Sequence, residues 1–401
     1  MGFYTSPSFF MASAFLVVPA AVLGLTGRSM RAYGMTASCL MMALLFTGNP
    51  QGLAALGVFL TFASLGAYAV HRSWCTEGGA KSLAVYRAAL LSTIVPLVIY
   101  KVGAVFDRDL LGFIGISYIT FKAVQVLIEM RDGLIERMDP LDYLYFLTFF
   151  ATFTSGPIDR SRRFVEDIHA PRPRSDYADL LTRGVMMMFA GAAMQLVLAT
   201  IARGFYDASC APAGTLTLDA LTMPVACREV LRAYGYAAYL FFDFAGYSLM
   251  AMGLGRCFGI AVPANFRAPY IAVDIKDFWN RWHITLSTWL RDFVFMRFVR
   301  MATKRKLFSS RLQTACAAYM VDMALMGAWH GLTVDYLAYG IYHGVLLAVT
   351  EVYQKRSSFH KRHRKEGWYK VASWFVTLQL VVLGFALFSG QVSGLIAAAL
   401  G

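Results

Sequence analysis

Charge is scarce in this chain. Asp, Glu, Lys and Arg supply 15% of its 401 residues, where an ordinary soluble domain carries roughly 25%. So few charges cannot cover a water-facing surface. With hydrophobic residues at 58% and a mean hydropathy of +0.53, the composition reads as a polytopic membrane protein. Cysteine is sparse too: Cys39, Cys75, Cys210, Cys227, Cys257 and Cys316 show neither CxxC spacing nor neighbouring histidines, which argues against a metal site or a disulfide framework. A nucleotide fingerprint is missing. Gly78-Gly79-Ala80-Lys81-Ser82 lacks a glycine directly before the lysine and has no flanking strand and helix, so it reads as a polar loop rather than a phosphate loop. No G-x-S-x-G segment occurs, which disfavours a serine acyl-enzyme. No inverted repeat is visible, which weakens the case for a transporter. Basic residues are not interleaved with aromatics on a soluble face, so nucleic acid is excluded as a partner.

What is present is a series of apolar runs near the roughly 20 residues that cross a bilayer. They start near Phe9, Met35, Leu53, Ala88, Leu111, Leu141, Val185, Met223, Tyr236, Leu312, Tyr336 and Val371. Some are short or interrupted, so about 11 spans are expected, the remainder being re-entrant or interfacial. The fold class is therefore all-α, in one continuous membrane domain over residues 1–401. The longest polar interruption, 155–174, is too short for a soluble domain. Lys122, Arg228, Arg232 and Asp243 fall inside these runs and must face protein or water. No basic segment precedes the first run, whereas Arg28 and Arg31 follow it. An uncleaved first helix with the N-terminus outside is expected. Met1-Gly2 with Ser6 fits a myristoylation pattern, taken as chance because a helix already anchors the chain.

The net charge of +13 is concentrated in Lys304, Arg305 and Lys306 and in the run Lys355, Arg356, Lys361, Arg362, Arg364, Lys365. Short basic loops set topology by the positive-inside rule. They also suit docking of an acidic partner at the membrane.

Against this background, histidine in an apolar segment is expensive and a functional candidate. Taken as a helix, Lys276 to Phe298 puts Trp279, His283 and Ser287 on one face and pairs Asp277 with Arg281. Its indoles suit an interfacial or cavity-lining segment. A lone His283 would more often only bond a backbone carbonyl. His330, between Trp329 and Gly331 at the end of the run from Leu312, changes that balance: an imidazole with a reference pKa of about 6.5 can take a proton from a hydroxyl and return it to a leaving group. Asp243 has Tyr247 one helical turn later, and reads equally as an orienter for a histidine or as a polar tie between helices. His343, flanked by Tyr339 and Tyr342, reads as structural.

Several motifs carry a resemblance: GISYITFKAVQVLIEMRDGLI at 115–135, FFATFTSGPIDRSRRF at 149–164, YLFFDFAGYSLMAMGLGRCFGIAVPANFRAPY at 239–270, DIKDFWNRWHITLSTWLRDFVFMRF at 274–298, MGAWHG at 326–331 and YGIYHG at 339–344. In these residues and their order the chain resembles the membrane-bound O-acyltransferase family, most of all its D-alanine-transferring branch. The resemblance implies a ring of transmembrane helices around a central funnel. It implies that His330 is catalytic and His283 is the second histidine. It also implies a donor D-alanyl thioester on the phosphopantetheine arm of an acidic carrier protein, with no other bound cofactor. The acceptor would be an outer-face hydroxyl of teichoic acid or another cell-envelope polymer, and a small membrane peptide a further partner. Substrate contacts are expected from Asp243, Tyr247, Asn280, Trp282 and Ser287, with Asn280 and Trp282 the nearest candidates for oxyanion donors. The alternative branch, alginate or exopolysaccharide O-acetyltransferases, typically reads FWRRWH and RDYLYIPLGG where this chain reads FWNRWH and RDFVFMRF. From other classes, a secondary transporter with a histidine proton relay and a non-catalytic scaffold for the carrier are the competing readings.

Overall fold

The structure is a computed structural model that describes residues 6–76, 78–108, 110–210 and 225–400. Regular structure among the described residues is entirely helical, in eighteen α-helices with short 3-10 and π segments. Six helices are long and apolar enough to cross a membrane: Pro7–Leu25, Pro50–Trp74, Leu83–Val105, Arg174–Cys210, Cys227–Cys257 and Gly367–Phe388. The runs expected from Met35, Leu111 and Leu141 become the shorter helices Arg31–Leu45, Ile116–Arg131 and Pro140–Thr148. Those from Leu312 and Tyr336 become Arg311–His330 and Val334–Arg356, longer but more polar. The run starting near Met223 begins outside the described residues, as does Met1-Gly2. From Val225 onward it merges with the Tyr236 run into one helix, Val225–Cys257.

The chain divides into two compact units, Met1–Ala192 with Tyr247–Ala264, and Ala193–Gly246 with Asn265–Gly401. Two of the crossings fall inside helices, so no linker composition marks them.

The first unit is laced by polar side chains at helical spacing. Lys122, Gln125 and Glu129 share one face of Ile116–Arg131 and are all buried. Lys122 Nζ donates to Phe146 O (3.0 Å) and Thr152 Oγ1 (2.9 Å). Gln125 Nε2 donates to Asp159 O at 3.2 Å, and Ser161 donates to Glu129 Oε2 at 3.1 Å. The expectation that Lys122 avoids lipid is met through protein partners, because a cation in an apolar helix persists only where hydrogen bonds replace its hydration. Tyr247, fully buried in this unit, places its hydroxyl 3.3 Å from Thr154 Oγ1 and accepts from Ser155 N at 3.3 Å.

The second unit is organised by a helical hairpin. Ser310 opens Arg311–His330 with a capping box closed by Gln313. The helix ends at His330, and after a three-residue connection Val334–Arg356 runs back. The two helices cross where Gly327 meets Gly340: a Cβ on Gly340 would lie 2.5 Å from Met323 O and 3.0 Å from Gly327 Cα. Small residues at such a crossing allow the backbone approach that packs helices in lipid. Gly340→Ala should therefore force the hairpin apart, destabilising the protein by about 1–3 kcal/mol. A lowered thermal unfolding midpoint in detergent checks this, and an unchanged midpoint would mean that the crossing is not close.

Candidate active site

The tryptophan-rich segment is not one helix. Asp274 caps Ile275–Trp279 by accepting from Asp277 N at 2.8 Å, and the helix closes as Trp282 N reaches Phe278 O (2.8 Å). His283 then takes a left-handed backbone, φ 43° and ψ 50°, and a second helix starts at Ile284 and runs to Leu290. A π segment, Arg291–Phe295, and the helix Met296–Lys304 follow. The continuous helix expected from Lys276 to Phe298 is thus corrected, and so is the shared face of Trp279, His283 and Ser287. The cause lies in long-range bonds: Ile284 N donates to Asn265 O (2.9 Å) and Thr285 to Asn265 Oδ1 (2.6 Å), pinning the chain where a helix would have continued. A non-glycine residue in this conformation costs about 1–3 kcal/mol, here offset by the bonds to Asn265. The Asp277–Arg281 pair forms nonetheless, at 2.7 Å.

His283 is buried, and its Nε2 has no hydrogen-bond partner among the described residues. Its ring stands edge-on to Phe244 at 4.8 Å and 6.3 Å from Trp329. His330, half-buried, ends its helix against Trp329 (4.6 Å), Phe388 (4.9 Å), Tyr336 (6.1 Å) and Tyr339 (6.3 Å). Trp329 lies between the two imidazoles, 6.3 Å from the ring of His283 and 4.6 Å from that of His330. The hairpin and the broken segment therefore bring both sequence-predicted histidines together, one accessible and one enclosed.

The other expected contacts fare differently. Asp243 is half-buried and accepts from Gln195 Nε2 at 3.0 Å, so the local donor expected in Tyr247 is replaced by Gln195, and Tyr247 serves the first unit instead. Ser287 spends its hydroxyl on His283 O (3.2 Å) and Trp282 O (3.3 Å), bracing the turn. Trp282 is buried among Phe385 (4.8 Å), Phe266 (5.0 Å) and Phe278 (5.7 Å). Asn280 is exposed at the end of its short helix. Neither is brought against a histidine ring by any of these contacts. Among the described residues no group of three His, Cys, Asp or Glu is arranged to hold a metal ion.

Two residues of this architecture were not singled out from the sequence: Gln195 and Asn265. Gln195 had a signal, being a glutamine in an apolar run. Asn265 had none, because its role depends on a turn twenty residues away. Trp279 Nε1 donates to His343 Nδ1 at 3.3 Å. Accepting at Nδ1 leaves the proton of a neutral ring on Nε2, which packs where a Cβ on Gly384 would come within 2.6 Å and, like Nε2 of His283, has no hydrogen-bond partner among the described residues. His343, fully buried, thus holds the segment rather than facing a substrate. His343→Ala should cost about 2–5 kcal/mol of stability through the cavity and the stranded indole donor. It should reduce turnover per folded molecule less than His283→Ala. Thermal unfolding alongside turnover of the folded fraction separates the two, and equal loss of turnover would place both histidines in one structural class.

Comparison with known proteins supplies the context. The family model described as MBOAT, membrane-bound O-acyltransferase family, matches residues 54–389. The chain is 37% identical over 399 residues to a teichoic acid D-alanyltransferase of Bacillus subtilis (strain 168), covering 97% of this chain and 98% of that protein. It is 33% identical to the protein of the same name from Lacticaseibacillus rhamnosus, with 96% of each covered. A probable alginate O-acetylase of Pseudomonas syringae pv. tomato is 31% identical over 287 residues, 69% of this chain and 49% of that protein.

Proposed function

Because the chain belongs to the membrane-bound O-acyltransferase family, we propose that it passes D-alanine from the phosphopantetheine thioester of an acidic carrier protein to a hydroxyl of teichoic acid or a related cell-envelope polymer. The chain is a multi-pass O-acyltransferase of the bacterial membrane. The observation that carries the choice of acyl group is length: the likeness to D-alanyltransferases runs over nearly the whole of both chains, whereas the O-acetylase likeness covers 49% of the relative.

The chemistry follows from the histidine pair. A thioester carbonyl is already activated, so the work left is to bring a hydroxyl to it, remove the proton during attack and return a proton to the departing thiolate. His330, half-buried at a helix end, is the accessible base and acid for these transfers, which are worth roughly 10²- to 10⁴-fold. His283 offers a buried Nε2 with no protein partner among the described residues, suited to hydrogen-bond a bound reactant, since such an atom is costly when left unpaired. A small membrane peptide is a further partner in this reading.

His330→Ala should abolish transfer while leaving folding and carrier binding near the parent. Substantial turnover by a properly folded variant removes His330 from this role. Reconstituted enzyme given D-alanyl carrier and, separately, acetyl coenzyme A tests the donor: efficient use of acetyl coenzyme A with no response to the carrier would replace this reading with O-acetyl transfer.

Lys304, Arg305 and Lys306 are exposed at the end of Met296–Lys304 and suit electrostatic docking of the carrier. Changing all three to Glu should weaken carrier binding about tenfold or more at low salt, and the parent's affinity should fall as the Debye length drops below about 10 Å. Carrier affinity insensitive to both the substitutions and salt would place the docking surface elsewhere.

A further inference from the structure

The corner where Val334–Arg356, Ser358–His363 and Gly367–Phe388 meet holds a groove of about 700 Å³ that lies outside the histidine site. Its wall includes Val349, Val376 and Leu380, of which Val349 and Val376 are 58% and 55% exposed. Cations, Arg364 and Lys370, line the same groove. Trp368 and Phe359, both more than half exposed, join them, while Tyr369 is fixed by His360 Nδ1 (2.8 Å) and by its own bond to Tyr353 (3.2 Å).

The charge here is lopsided: residues 355–370 hold seven Lys or Arg and one Glu. The nearby acids are already engaged. Glu366 is bonded by His363 (3.0 Å) and the Trp368 indole. Glu351 is held by Lys276 and by Lys355 at 2.6 Å. Asp274, which lines the groove, accepts from Gln354 (2.9 Å) and Asp277 N (2.8 Å). Among the described residues neither Arg364 nor Lys370 has an ion pair.

We propose that this groove is a binding site for an anionic phospholipid, with its phosphate on Arg364 and Lys370 and an acyl chain along Val349, Val376 and Leu380. An amphiphile is the occupant that uses every feature. A free anion would use only the cations, and an acidic protein would leave the apolar wall unfilled. Aromatic side chains with polar edges belong at headgroup level, and a basic cluster beside a membrane helix attracts the negative leaflet surface.

The test uses the full chain purified in detergent, titrated with short-chain phosphatidylglycerol, short-chain phosphatidylcholine and glycerol 3-phosphate, with bound lipid counted by native mass spectrometry. Saturable phosphatidylglycerol binding, about tenfold or more tighter than phosphatidylcholine, is expected. The R364Q/K370Q variant should weaken it about tenfold. Val376→Trp, which keeps the cations and fills the groove, should weaken it as well. All three positions are exposed, and thermal unfolding verifies that the variants fold. Equal binding of phosphatidylcholine, or binding indifferent to both variants, overturns the site. Glycerol 3-phosphate binding as tightly as the lipid assigns it to a free anion instead. Loss of carrier binding in R364Q/K370Q with lipid binding unchanged overturns it in favour of a carrier surface. Every readout is binding, so the outcome is independent of which acyl group the enzyme transfers.

Discussion

The candidate active site depends on how closely two helix backbones approach at Gly327 and Gly340. That crossing fixes Arg311–His330 against Val334–Arg356, and both kinds of histidine follow from it. His330 sits three residues beyond Gly327, at the helix end, and meets Tyr336 and Tyr339 from the returning helix. His343 sits three residues beyond Gly340 and accepts the Trp279 indole proton. Through Trp279 the same crossing holds Ile275–Trp279, and with it the turn that presents His283. Dispersion between bare backbones is weak per atom and needs close fit. The positions of two imidazoles thus rest on the absence of two methyl groups.

Polar atoms in an apolar chain divide into those the protein satisfies and those it leaves open, and the division is informative. Lys122 and Glu129 find partners within the first unit, and each reads as a tie between segments. His343 uses one nitrogen as an acceptor and packs the other against a glycine. That second nitrogen, like the Nε2 of His283, is buried without a partner among the described residues; His283 differs in its left-handed backbone. A satisfied group stabilises, and an unsatisfied one in a strained turn costs free energy that folding alone does not require. Burial and an unpartnered Nε2 are common to both histidines; what separates them is the strained turn at His283 and the Trp279 indole bond that ties His343 to its neighbour.

Much of this was legible in sequence, for identifiable reasons. Composition and apolar run length define the membrane class because lipid tolerates little else. The buried role of Lys122 follows from the cost of a cation in an apolar helix. His283 and His330 stood out by residue type and by motif resemblance. The break at His283 was not legible, since local spacing allowed a helix and the deciding bonds come from Asn265. Asp243 was paired with Tyr247 by helical periodicity, while its observed donor is Gln195, on another helix. Periodicity ranks neighbours along one helix and is silent about partners across helices. Ser287, four residues from His283, was placed correctly in sequence distance, yet its hydroxyl is committed to the backbone of the turn.

The contrast between the two histidines bears on how the proposed reaction would be divided. A group that exchanges a proton with an incoming hydroxyl needs access, and His330 at a helix end has it. A group that fixes a reactant needs rigidity, and His283 has it: Asn265 holds the following residues through two bonds, Ser287 braces its carbonyl, and Phe244 stands edge-on to its ring. Strain of about 1–3 kcal/mol in the turn is small beside the roughly 7–11 kcal/mol that orientation can contribute to a reaction between two bound groups. A left-handed histidine is therefore a small cost where the turn that creates it also holds its ring in one place.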